Sequence, residues 1–196
     1  MRVLLVQSHL GRIQYSPPLF PIGLCYVATG LTKHTVKIID LNIWELPLAY
    51  NMLEKELSEF NPDVVGISIR NIDTTYRFDV FYHFKTIRPT AQLIKKHNPD
   101  ITLLVGGPGF SLFAQKIMER VPEFNFGIYL EGEESVAELL DNLNSPETVK
   151  GIFIRKNGAV QFTGQRQFQD FDTVATPKRD SDLINIKDYI GHMHDN

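Results

Sequence analysis

Four short apolar runs, each closed by small or turn-forming residues, constrain this chain more than any other feature. They are Val3-Leu4-Leu5-Val6, Val64-Val65-Gly66-Ile67-Ser68, Leu103-Leu104-Val105-Gly106-Gly107-Pro108-Gly109 and Gly127-Ile128-Tyr129-Leu130-Glu131-Gly132-Glu133. A strand that is apolar along its whole length must be covered on both faces. A parallel sheet between two layers of helices meets that condition. In such sheets ligands sit outside the carboxyl ends of the strands. The glycine-marked ends therefore outline one candidate pocket.

The intervening segments supply the helices. Strand one, Arg2 to Gln7, leads into a loop through Pro17, Pro18 and Pro21, and a first helix runs from Pro21 or Ile22 to about Thr32. Thr35 to Ile39, closed by Asp40, reads as strand two. A second helix covers roughly Ala49 to Phe60, with Met52, Leu53, Leu57 and Phe60 on one side, and Asn61-Pro62-Asp63 stops it. Strand three is Val64 to Ile69. The stretch from Arg70 to about Arg88 has weak periodicity, and connections this long serve as lids or binding loops. Pro89 suits the first turn of a third helix that ends at His97-Asn98-Pro99. Strand four is Ile101 to Val105. Ser111 fits the N-cap of a fourth helix whose stripe is Ala114, Ile117, Met118 and Val121. Strand five is Phe126 to Leu130. A fifth helix begins at Glu133 or Glu134, where acids favour the positive end of the helix dipole, and it buries Val136, Leu139, Leu140 and Leu143.

This alternation predicts an α/β, flavodoxin-like, doubly wound parallel sheet of five strands in the order 2-1-3-4-5. Ile152 to Lys156 and Ala159 to Phe162 flank Asn157-Gly158, a strong hairpin signal, so a C-terminal hairpin is expected to extend one sheet edge. The expected organisation is an α/β domain over 1–163, including the hairpin at 152–162, followed by a linker or surface strap over 164–196.

Charge and composition remove several classes of function. A net charge of -3 offers no basic face for nucleic acid or an anionic membrane. No apolar stretch approaches the roughly 20 residues that span a bilayer. The N-terminus opens into a strand with no signal-peptide pattern, so the expected location is cytoplasmic. The single cysteine, Cys25, cannot form an internal disulfide or build an iron–sulfur cluster by itself, and it reads as a small core residue.

Familiar occupants of such a sheet fit poorly. A phosphate-accepting receiver would need acids after strand one and an aspartate ending strand three, where this chain has Gln7-Ser8-His9 and Ser68. A flavodoxin phosphate loop would not carry prolines after strand one, because they lack N–H donors. The only G-x-G, Gly107-Pro108-Gly109, follows strand four rather than strand one. The remaining pattern suits a large, flat, mostly apolar ligand with a thin tail. Gly106, Gly107 and Gly109 remove side chains at the end of strand four, Gly132 does so at strand five, and Ser68 supplies a small hydroxyl at the neighbouring end of strand three. The same glycines also serve ordinary strand-to-helix turns. Arg70 and Asn71 would face such a platform or remain solvated. Tyr76, Phe78, Phe81, Tyr82 and Phe84 crowd the long loop as a lid, an interface or a satellite core. Glu133 and Glu134 are neighbours on a helix and do not face one another, so they read as helix-start acids rather than an acid/base pair. His192-Met193-His194 reads as a frayed end.

In order and spacing, the segments resemble the cobalamin-binding domain at the N-terminus of B12-dependent radical SAM enzymes. The matching pieces are Pro17-Pro18-Leu19 with Pro21-Ile22-Gly23-Leu24, Thr35-Val36-Lys37-Ile38-Ile39-Asp40, Pro62 to Ser68, Gly106-Gly107-Pro108-Gly109, Glu131-Gly132-Glu133-Glu134, Gly151-Ile152 with the Asn157-Gly158 hairpin, and Leu183 to Tyr189. Ser68 to Asp73 and Gly109 to Phe113 look most like the methyltransferase and anaerobic porphyrin cyclase-like branch. The resemblance implies cobalamin over the strand ends, its nucleotide tail entering between Ser68 and Gly106-Gly107. Pro18, Leu19, Pro21 and Gly23 would line the site with Gly132-Glu133, and Pro108, Gly109, Arg70 and Asn71 would complete it. The cobalt would carry a methyl group or shuttle an electron for a radical SAM domain in cis, which would itself bind S-adenosylmethionine and a [4Fe–4S] cluster.

This chain has no C-x3-C-x2-C motif, so by itself it is not expected to perform radical chemistry. It also lacks the D-x-H-x-x-G signature whose histidine ligates cobalt. Gln7-Ser8-His9-Leu10-Gly11 is a near miss, and His9 reads as an ordinary loop residue. The alternatives are a stand-alone corrinoid carrier or interaction module, and a small-molecule or nucleotide-binding domain with no corrin.

Overall fold

A computed structural model describes residues 1–11, 18–74, 78 and 80–190, apart from the side chain of Phe171. Pro17, Tyr76 and His192 to His194 lie outside the described residues. β1 (Arg2–Gln7), α1 (Ile22–Gly30), β2 (Thr35–Asp40), α2 (Leu46–Phe60), β3 (Val64–Ser68), α3 (Ile87–His97) and β4 (Thr102–Gly106) follow in turn. Then come α4 (Pro108–Leu112), α5 (Ala114–Arg120), β5 (Phe126–Ile128), α6 (Ser135–Asp141), β6 (Ile152–Lys156), β7 (Ala159–Phe162) and α7 (Lys187–Ile190).

The sheet order is β2-β1-β3-β4-β5-β6-β7. The first five strands are parallel in the expected 2-1-3-4-5 arrangement, and the hairpin β6-β7 adds antiparallel to β5. Strand alternation divides the core in two. Leu4, Val6, Val65, Ile67, Leu103 and Val105 point to one face, under α2, α3 and α5. Val3, Leu5, Val64 and Leu104 point to the other, under Leu24, Cys25 and Ala28 of α1 and Val136, Leu139 and Leu140 of α6. Each fully buried aliphatic side chain stabilises the fold by about 1.5–3 kcal/mol. The segment after β7 contributes Leu183, Ile184 and Tyr189 to this second core. It also meets the sheet edge, where the Ile38 N–H donates to the Leu183 carbonyl (2.8 Å). Among the described residues no helix is long and apolar enough to cross a membrane.

Several boundaries differ from the sequence expectation, each for a local reason. α2 begins at Leu46, because Pro47 is tolerated in a first turn and Glu45 is extended. α3 begins at Ile87, fed by a tight turn over His83–Thr86. The single fourth helix is two helices broken at Phe113, whose backbone (φ -138°, ψ 31°) is not helical. Ser111 lies inside α4 rather than capping a helix. β5 ends at Ile128, because Leu130 takes a left-handed conformation (φ 64°), and α6 starts only at Ser135.

Candidate functional site

The carboxyl ends of β1, β3 and β4 stand side by side, with Gln7 opposite Ser68 and Ser68 opposite Gly106. One residue pair deeper, Leu5 lies opposite Gly66 and Gly66 opposite Leu104. Because successive residues alternate faces, Leu5, Gly66, Ser68, Leu104 and Gly106 all project toward α1 and α6. Two of those five positions carry no side chain and a third carries only a hydroxymethyl. The sheet is therefore pared away where a helical layer would otherwise rest on it.

Two adjoining cavities result. A slot of about 290 Å³ runs down beside the sheet, floored by Leu5, Gly66, Ser68, Leu104, Gly106 and Ile128 and walled by Gly23, Leu24 and Val27 of α1 and Val136 of α6. An upper cavity of about 420 Å³ opens over the strand ends, between Gln7, Leu10, Asn42, Ser68, Arg70 and the segment from Pro18 to Leu24. The two share Gly23, Leu24, Ser68 and Pro108, so they form one bent space with a broad upper part and a narrow lower one.

The predicted residues take distinct places in it. Pro18, Leu19, Pro21 and Arg70 line the upper cavity; Gly106, Gly107, Gly132 and Glu133 line the slot; and Gly23, Ser68 and Pro108 line both. Gly109 and Asn71 line neither. A Cβ on Gly109 would lie 2.8 Å from Ile69 Cγ2 and 3.1 Å from the Asn71 carbonyl carbon, so this glycine lets α4 lie against the segment after β3. Gly107 serves a similar packing purpose at φ +93°, where a Cβ would lie 2.8 Å from the Ile69 carbonyl oxygen and 2.9 Å from Ser68 Oγ. The glycines that clear the slot floor are Gly66 and Gly106. Gly66 is one that sequence reasoning missed, and the strand register is the signal that exposes it.

Sequence reasoning also missed the rim's polar supports. Ser111 Oγ accepts the Leu130 N–H (2.9 Å), which holds the left-handed turn after β5 against α4. Asn42 bridges the loops after β1 and β2: its Oδ1 accepts the Leu10 N–H (2.9 Å) and its Nδ2 donates to the Ser8 carbonyl (3.0 Å) and to Asp40 Oδ1 (2.8 Å).

The titratable groups have separate duties. His9 is fully buried below the rim, and burial lowers its pKa. Its Nδ1 accepts the Gly11 N–H (2.7 Å), which makes it the neutral tautomer whose Nε2–H donates to the Trp44 carbonyl (3.0 Å). Both ring nitrogens are thus committed. The Cys25 thiol is pushed up by burial and stays a core group. In the acidic run after β5, Glu131 accepts the Gln169 N–H (2.8 Å) and Glu134 pairs with Arg166 (3.0 Å). Glu133 differs: it lines the slot, and its Oε2 is buried with no hydrogen-bond partner among the described residues. Among the described residues no cluster of three or more His, Cys, Asp or Glu side chains could hold a metal ion.

Comparison with known proteins gives a family and relatives. The family model described as "B12 binding domain" matches residues 10–140. A protein of Pyrococcus horikoshii named "Uncharacterized methyltransferase PH0819" is 29% identical over 165 residues, covering 82% of this chain and 33% of that protein. The radical S-adenosylmethionine methyltransferase TsrM from Kitasatospora setae is similar in structure at 22% identity. Its form with tryptophan substrate and a SAM analogue gives a TM-score of 0.72, and its form with cobalamin and a [4Fe-4S] cluster gives 0.70. Both matches cover 83% of this chain and 30% of TsrM. The chain thus spans about a third of the length of these relatives.

Proposed function

This chain belongs to the B12-binding domain family, and from that premise we propose that it holds cobalamin in the bent space at the carboxyl edge of the sheet. The corrin ring takes the upper cavity, and the nucleotide tail takes the slot. The observation that carries the assignment is the slot floor, where Gly66, Ser68 and Gly106 leave room beside the central strands, which are buried along most of their length. The residues present suit the group. The slot's aliphatic walls match an aromatic base, and the orphaned Glu133 Oε2 is an acceptor for a hydroxyl or N–H of the tail. Pro18, Leu19, Pro21, Gly23 and Pro108 give the corrin an apolar rim, and Arg70 stands at its polar side.

Cobalamin in this site takes no ligand from His9, because freeing either ring nitrogen would break a buried hydrogen bond. When bound, the group supplies cobalt chemistry suited to methyl transfer. The chain's own residues bind it, orient it and shield its tail from water. The names of the relatives favour a radical SAM methyltransferase over cyclase-type chemistry. In that reading S-adenosylmethionine and the [4Fe–4S] cluster belong to a catalytic domain joined in cis, with 1–163 as the cofactor domain and 164–196 as the strap beside it.

The test is retention of hydroxocobalamin through gel filtration, read from its visible spectrum, beside cobinamide, which lacks the nucleotide tail. Cobalamin should be retained and cobinamide held much more weakly. Equal binding would remove the slot from the assignment, and no coloured complex would remove the function. Reduction to the cobalt(II) state should give an electron paramagnetic resonance spectrum without nitrogen splitting from a protein ligand.

A further inference from the structure

The C-terminal strap reaches the site through Tyr189 of α7, which lines neither the upper cavity nor the slot. Its ring is buried, and its hydroxyl donates to Asp40 Oδ2 (3.0 Å) at the end of β2. Asp40 is itself buried, and its other oxygen accepts from the Asn42 backbone N–H (2.9 Å) and from Asn42 Nδ2 (2.8 Å). Asn42 lines the upper cavity and holds Ser8 and Leu10 of the loop after β1; Leu10 lines the cavity too. A second arm starts from the same ring. Tyr189 meets Phe20 edge to face, with centroids 5.0 Å apart, and Phe20 lines the upper cavity as part of the segment from Pro18 to Leu24. One side chain of the strap therefore braces two separate stretches of the rim, one by a chain of buried hydrogen bonds and one by ring packing.

We propose that Tyr189 is a positioning residue for the corrinoid site: seated on Asp40 and Phe20, it fixes the cavity rim and so sets the affinity for the cofactor. This rests on the reading that the upper cavity receives a corrinoid. Asp40 has no cationic partner among the described residues; Asn42 and Tyr189 carry its hydrogen bonding, so loss of the phenol frees Asn42 to shift. Groups linked in one buried network act together rather than singly.

The experiment compares full-length wild type with Tyr189→Phe and Asp40→Asn, using hydroxocobalamin titration, thermal melting and hydrogen exchange of the Leu10 amide in the free protein. Tyr189→Phe should raise Kd roughly tenfold, about 1.4 kcal/mol, and accelerate exchange at Leu10. Asp40→Asn, whose oxygen still accepts from Asn42 but whose amide leaves the buried Tyr189 O–H without its acceptor, should shift Kd and Leu10 exchange in the same direction as Tyr189→Phe. A lower melting temperature for Tyr189→Phe with Kd and Leu10 exchange unchanged would make the strap merely structural and overturn the inference. Wild-type protein that binds no corrinoid would refute the functional reading instead. In that case unchanged Leu10 exchange in Tyr189→Phe would still overturn the bracing role.

Discussion

Gly23→Leu is the substitution that most directly asks whether the bent space is the cofactor site. Gly23 lines both the upper cavity and the slot, and a Cβ built on it meets nothing within 4 Å. It lies in α1, where leucine is a better helix former than glycine by about 0.5–1 kcal/mol. The fold should therefore tolerate the change or gain slightly. The leucine adds four carbons at the bend, where the ligand must turn from platform to slot. Displacing ligand contact worth four buried carbon groups, at ~0.8 kcal/mol each, removes about 3 kcal/mol of binding. At 1.4 kcal/mol per factor of ten, Kd should rise on the order of 100-fold. The assay is titration with hydroxocobalamin by visible absorbance, with a thermal melt of each sample to confirm the fold. Unchanged affinity in a protein that melts at or above the wild-type temperature would show that no ligand passes the bend.

Gly107→Ala should behave in the opposite way. Its backbone (φ 93°, ψ 170°) is open only to glycine, and its Cβ would press on the Ile69 carbonyl, so urea denaturation should show a loss of about 2–3 kcal/mol. A loss below roughly 0.5 kcal/mol would contradict that close approach. Phe110→Ala should cost about 3–5 kcal/mol in the same assay, because the ring is fully buried and Gly127 is bare to admit it, its Cβ position being 2.4 Å from Phe110 Cζ; a cost under about 1 kcal/mol would mean that the site collapses freely. His9 should make the protein acid-sensitive. The unfolded imidazole takes a proton near its ordinary 6.5 while the buried one resists, so the unfolded state binds more protons and stability falls as pH drops below that value. Urea midpoints between pH 7 and pH 5 would check this, and a slope as steep in His9→Asn as in wild type would assign the effect elsewhere.

The framework of the fold was legible because it rests on local periodicity. Continuous apolar strands gave the parallel sheet and its order, and Asn157-Gly158 gave the hairpin, with both residues at positive φ. Less was legible where a residue's partner is distant in sequence. Ser111 carries every mark of a helix cap, yet its hydroxyl is used by Leu130 across the strand ends. Gly107 and Gly109 look like residues cleared for a ligand, but their missing side chains make room for the Ile69–Asn71 backbone. For that reason Gly107→Leu, an obvious way to plug the slot from sequence, would deform the turn before it tested binding. Gly66 sits mid-strand, and its part in the slot shows only when the register sets it beside Leu5 and Leu104. The strap shows no apolar period, and among its described residues the core receives Leu183, Ile184 and Tyr189 at irregular spacing.

The slot beside the sheet also bears on how long a copy of this protein lasts. The walls of this space of about 290 Å³ between strands and helices face solvent rather than protein, and so make fewer attractive contacts than a packed interior does. Those contacts return when an outside molecule completes the interior, and free ligand at 100 times Kd would add about 2.7 kcal/mol. Chains without cofactor would open more often and be degraded sooner, so the supply of the cofactor would tune abundance by way of turnover.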